Sequence, residues 1–305
     1  QHSEFGVTIT KNRMMFKQIR NTLKIASSRR HFTSKTDFDK YCFDSVKSHD
    51  RESYLLGLIF PKQYRGVYFA IHAYNIEIST IQDQIPRNSI QAGRLRFQFW
   101  KDILQQIYSE GTISASINQP VAQALSYYIN HHKLTSRWFE RSLEARFQDM
   151  MNPANFVTMD DLESYAEYSQ SSLLYLLLEA MNIKDENAEF AASHVGVCKG
   201  IVTLLRSQHH HQTQGHSYFP SEVLKKHDLP LTVALKGANS AEEAGRLQDV
   251  INDIASQAYA HLAKARELSQ QPSFPKVAHA ALMPAVSSDQ YLEQLQRNDF
   301  IHVSG

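Results

Sequence analysis

The sequence predicts an all-α fold built as one helical array. Three observations carry that expectation. Glycine and proline are sparse, 11 and 9 in 305 residues, so long stretches run without a breaker. Apolar residues recur at three- and four-residue spacing, the period of a helix with one buried face. Period-two alternation, the mark of a half-buried strand, is nearly absent.

The elements follow in order. A helix is expected over 38–58, after Thr36 and Asp37, which can cap its free amides. Pro61 opens the next, running to about residue 83, because proline is tolerated at the first helical position. Pro86-Arg87-Asn88 is a break. Helices are expected over 94–108, ended by Gly111-Thr112, then over 120–131 and over 136–150, stopped by Asn152-Pro153. Residues 160–181 are apolar on most sides, which predicts a central helix. A helix over 186–206 comes next, then a solvated loop rich in His and Gln. A short helix is expected at 220–226, a loop at 229–241, a long helix at 244–270, a break at 272–275 and a last helical stretch at 291–297. No linker divides 37–300 into domains.

Composition narrows the function. The longest apolar run, 173–178, falls far short of the roughly 20 residues that span a bilayer, so membrane contact is expected to be peripheral. Cys42 and Cys198 are the only cysteines, which argues against a disulfide framework and for a reducing compartment. From Lys11 to Thr36 there is no acidic residue, but there are Lys11, Arg13, Lys17, Arg20, Lys24, Arg29, Arg30 and Lys35. Met15, Phe16, Ile19, Leu23 and Ile25 recur among them at roughly helical spacing. A basic, amphipathic, acid-poor leader is the profile of a mitochondrial transit peptide, expected here as residues 1–32. Without it the 32 basic and 31 acidic residues become 25 and 30. That balance gives nothing to attract nucleic acid.

Two segments, FPKQYRGVYFAIHAYNIEIS at 60–79 and GVCKGIVTLLRSQHHHQTQGHSYFPSEVL at 196–224, resemble the two diphosphate-binding helices of the squalene/phytoene synthase family. The resemblance covers about 37–270 and implies that family's all-α isoprenoid-synthase fold. It also implies magnesium held by aspartates four residues apart on each helix, since a departing diphosphate needs its charge neutralised by hard cations on oxygen ligands. Here those positions read Asn75 and Ser79 on the first helix, Ser207 and His211 on the second. Glu77 lies about 200° around the helix from Asn75 and is expected to face elsewhere. Arg65, Arg94, Arg96, Trp100 and Tyr218 match other family positions. Asp249 and Asp253 keep a D-x-x-x-D spacing but fall beyond both motifs; a helix-dipole role is expected for them, with displaced metal ligation as the alternative. A His cluster can bind zinc or nickel, but the consecutive His209, His210 and His211 cannot all point at one ion on a helix, and with His216 near them they are read as a solvated loop.

Two readings follow. The first is a protein that kept the scaffold and lost the chemistry, with no metal and no cofactor. The other is an active magnesium-dependent prenyl-diphosphate transferase with displaced ligands. Segments 72–79, 96–108, 163–185, 192–207 and 250–266 are similar to a mitochondrial branch of the family that lacks the aspartates. That similarity implies a matrix-side factor at the inner membrane, working on respiratory complex I assembly intermediates, early, at the membrane-arm core subunit 1. The similarity ends near residue 300; 301–305 is read as a divergent tail where the family continues into a further helix.

Overall fold

Every regular element among the residues described by the computed structural model, 34–85, 89–114 and 116–300, is helical. The expected leader at 1–32 and tail at 301–305 lie outside those residues. α1 (Lys35–His49) starts at Ser34, whose side chain accepts from the Asp37 amide. The one helix expected over 38–58 is two, because Asp50 leaves helical geometry (φ −137°, ψ 82°) and caps α2 (Arg51–Ile59). Its carboxylate accepts from the Ser53 amide at 2.9 Å and the Ser53 hydroxyl at 2.7 Å. One side chain thus starts a new helix where the apolar spacing alone reads as continuous.

A 3₁₀ turn (Lys62–Tyr64) leads into α3 (Arg65–Ser79), whose residues 67–74 are all buried. A helix buried all round belongs at the centre of a fold. α4 (Ile90–Glu110), α5 (Pro120–His132) and α6 (Ser136–Met151) follow. α1, α5 and α6 pack around α3, and α4 packs on α6. The Tyr74 hydroxyl of α3 donates to the Phe139 carbonyl of α6 at 3.0 Å.

The central helix expected over 160–181 is a continuous rod with a defect in its middle. It runs as α7 (Met159–Ala166), a π turn (Glu167–Ser171) and α8 (Ser172–Ala180). α9 (Glu186–Arg206) crosses it there. A Cβ on Gly196 would sit 2.4 Å from Ser171 Cα, and one on Gly200 would sit 2.5 Å from Ala166 Cβ. Glycine at both places lets the two backbones touch.

α10 (Gln208–Gln214), α11 (Ser221–Lys226), α12 (Leu231–Lys236), α13 (Ala241–Ser269) and α14 (Pro284–Arg297) complete the array. Two of these correct the sequence reading. The His/Gln stretch is helical, because Gln208 and Gln212 both donate to the Ala234 carbonyl, at 2.9 and 3.0 Å. The loop expected over 229–241 contains α12, which buries Val233 and Ala234 and ends at Gly237, φ 89°.

Two apolar cores result among the described residues. One gathers α1, α3–α6 and α8; the other gathers α11–α13 with the second half of α9. The rod and α9 contribute to both. α9 is the one described helix long and apolar enough to cross a membrane, but 67% of its most apolar window is buried. Its apolarity serves the core.

Candidate functional site

α3 and α9 each carry a polar stripe at helical spacing: His72, Asn75 and Ser79 on one, Lys199, Thr203, Arg206 and Ser207 on the other. Two polar contacts mark the ends at which these stripes come near one another. At one end Lys199 pairs with Glu52 of α2, and both charges act on the His72 imidazole. At the other, His210 Nε2 stands 3.7 Å from Asp83 Oδ1, just beyond α3. Asn75, Ser79 and Ser207 fall between those ends along their helices.

The first end is charged: Glu52 and Lys199 are half-buried and Arg206 is exposed. Arg206 Nη1 reaches Glu52 Oε2 at 3.1 Å, and the Ser287 hydroxyl of α14 donates to Glu52 Oε1 at 2.6 Å. Burial alone would raise the Glu52 pKa. The charge and hydrogen bond of Lys199, the Ser287 hydroxyl and the Arg206 charge together outweigh it and hold the carboxyl at about 2. His72 is buried beside this network, and burial depresses its pKa; the Asp50 carboxylate opposes that, Lys199 adds to it, and Glu52 opposes it. Both His72 ring nitrogens, Asn75 Oδ1 and Ser172 Oγ are buried without a hydrogen-bond partner.

These groups do not fit the magnesium that the family resemblance implies. Mg²⁺ wants anionic oxygen in near-octahedral array. The orphaned atoms here are neutral, and the nearby Glu52 carboxylate is committed to two cations and a hydroxyl. A divalent ion would have to compete with Lys199. Among the described residues no three His, Cys, Asp or Glu side chains converge for a metal.

The remaining sequence-derived residues are placed as follows. His211 packs its ring on Tyr218 at 4.4 Å. Burial, then His210, His216 and Arg146, lowers its pKa to about 4. The Tyr218 hydroxyl donates to Asp149 at 2.8 Å. Arg65 Nε donates to the Phe60 carbonyl at 2.8 Å, and Trp100 stands edge-on to Tyr74 at 5.4 Å. Arg94 is exposed beside Met151, while Arg96 donates to Gln84. Glu77 points to the side of Arg96 and His49. Asp253 is bound by Lys226 at 2.6 Å and His227 at 2.7 Å, and Asp249 is exposed. The helix-dipole role expected for this pair falls instead to Glu242 and Glu243, because α13 begins at Ala241.

Sequence reasoning missed Glu52, His72 and Lys199. The signals were present: a lysine inside the apolar run GVCKGIV, and a histidine inside FAIHAY.

His72 and His211 give a testable pH dependence. Both have depressed pKa values when folded, so the unfolded chain binds more protons as pH falls below about 6.5. Stability to urea is expected to drop from there toward pH 4. His211→Phe keeps a ring against Tyr218 and is expected to flatten part of that slope. An unchanged slope in a urea-midpoint series would remove His211 as a source.

The fold defines an all-α protein of the isoprenoid-synthase type. The Squalene/phytoene synthase family model matches residues 46–305, and the chain belongs to that family. Squalene synthase HpnC from Alicyclobacillus acidocaldarius superposes with a TM-score of 0.74 at 16% identity, over 88% of this chain and 97% of that one. A dehydrosqualene synthase solved with ligand gives 0.72 at 19%, over 89% and 90%. In sequence the chain is similar to "NADH dehydrogenase (ubiquinone) complex I, assembly factor 6" of Bos taurus and of Homo sapiens. Each is 36% identical over 86% of this chain and 75% of the relative. The Drosophila melanogaster homolog is 33% identical over 86% and 76%.

Proposed function

We propose that this chain is a non-catalytic assembly factor for respiratory complex I. It acts early, at the membrane-arm core subunit 1, from the matrix side of the mitochondrial inner membrane, to which it attaches peripherally. Residues 1–32 serve as its transit peptide. The named function of its relatives supports the assembly role. One observation carries the non-catalytic part: the motif helices carry neutral side chains, with Lys199 and Arg206 paired to Glu52 beside them, where diphosphate chemistry needs paired carboxylates. Asn75, Ser79, Ser207 and His211 are then degenerate former ligand positions.

The test is complementation in cells lacking their own copy. The native chain is expected to restore complex I assembly intermediates, and a chain carrying Asn75→Asp, Ser79→Asp, Ser207→Asp and His211→Asp is expected to do no better. Rescue by the aspartate chain alone would overturn the non-catalytic reading.

A further inference from the structure

α2 is a short helix fixed on one side and greasy on the other. On its inner side Ser53 and Gly57 are buried. The Tyr68 hydroxyl donates to the Ser53 carbonyl at 2.9 Å. A Cβ on Gly57 would stand 2.6 Å from the Phe69 ring and 2.8 Å from the Tyr68 ring, so the backbone rests directly on aromatics. Glu52, the only acid on the helix, is turned inward to Lys199, Arg206 and Ser287.

The outer side is different in kind. Within 51–60 the exposed residues are Arg51, Leu55, Leu58 and Ile59. The three aliphatic side chains are 51%, 39% and 68% exposed. At 100° per residue they occupy one stripe, with Arg51 one turn before Leu55. Exposed Lys62 follows the helix. Val286 of α14, 61% exposed, directly precedes the Ser287 that bonds Glu52. Other exposed apolar side chains, such as Phe190 of α9, lie on different elements, and single ones are ordinary.

We propose that this face of α2, Leu55, Leu58 and Ile59 between Arg51 and Lys62, is the surface on which the chain sits on an anionic lipid bilayer. A convex aliphatic ridge with cations at both ends is what an interfacial helix presents: the aliphatics enter the acyl boundary while the long basic side chains reach the headgroups. Charge complementarity favours lipid, since the ridge presents no unpaired acid and the anionic surface attracts its flanking cations. Between Arg51 and Lys62 the exposed side chains offer no hydrogen-bonding group for a protein partner to read. This surface deepens, and rests on, the peripheral attachment in the proposed function.

Cys42 and Cys198 are buried, so a Leu58→Cys chain can be labelled there with a polarity-sensitive dye. The probes are phosphatidylcholine vesicles with and without phosphatidylglycerol. A blue shift is expected with the anionic vesicles. Adding Ile59→Glu, or Arg51→Gln with Lys62→Gln, is expected to abolish most of it. The same dye on a Phe190→Cys chain is expected to stay in water, which separates docking by α2 from capture through the basic N-terminal segment. No shift at position 58, or an equal shift at position 190, would overturn the proposal. A shift at position 58 only on addition of an apolar membrane-arm peptide would also overturn it, in favour of a protein partner. If position 58 stays in water while the native chain still restores complex I assembly, the docking surface falls and the assembly role stands.

Discussion

Gly196→Leu is expected to destabilise the fold by about 3 kcal/mol, the upper range for overpacking a close contact. A Cβ there meets Ser171 Oγ at 2.2 Å, its Cα at 2.4 Å and its amide nitrogen at 2.5 Å. Two of those atoms are backbone, so no change of rotamer relieves the clash. α9 would have to lift from the π turn, at the crossing that joins the two cores. Gly200→Leu, against Ala166, is expected to act in the same direction. Gly245 is the contrast: it lies inside α13, and an added Cβ meets nothing within 4 Å. Gly245→Ala is expected to stabilise by about 0.5–1 kcal/mol, because alanine loses less backbone entropy in a helix. Urea unfolding of the three variants reads the difference. A Gly196→Leu midpoint equal to the native one would sink the close-approach account.

Glu52→Ala is expected to cost about 2–3 kcal/mol, less than a fully buried pair because both side chains keep some contact with water. Lys199 is only 15% exposed and would be left without its carboxylate. Adding Lys199→Met removes the stranded charge, and the double variant is expected to recover most of the loss. A double-mutant cycle measures the coupling; additive effects of the two changes would refute the pairing. The pH dependence has a definite sign. Glu52 titrates at about 2 in the folded chain against 4.5 ordinarily. Its contribution is therefore complete above pH 4.5 and is lost as pH falls toward 2. Glu52→Ala is expected to lack that acid phase while keeping the histidine phase between about 6.5 and 4.

Much of the fold was legible because helix formation is largely a local matter of period and breakers. Residues 186–206 matched the observed helix end to end, and Pro120 opened α5 as its position implied. The departures share a cause. Asp50 split one expected helix by taking the Ser53 amide, a choice that the apolar period does not encode. The His/Gln stretch became a helix because Ala234, some twenty residues on, accepts from two of its glutamines. Asp253 was spoken for by Lys226 and His227, partners that only packing brings together.

The candidate site divides in the same way. Which carboxylates a diphosphate site would need follows from charge and helix spacing; that Asn75, Ser79, Ser207 and His211 stand at the matching positions is what the family resemblance implies. The sequence by itself determined the helical array and its family. The polar network beside the proposed motif positions was decided only in three dimensions. Glu52, Lys199, Arg206 and Ser287 are scattered over more than two hundred residues and meet in one half-buried network. Such a network holds only when its charges are paired at close range, and those distances are set by the folded backbone.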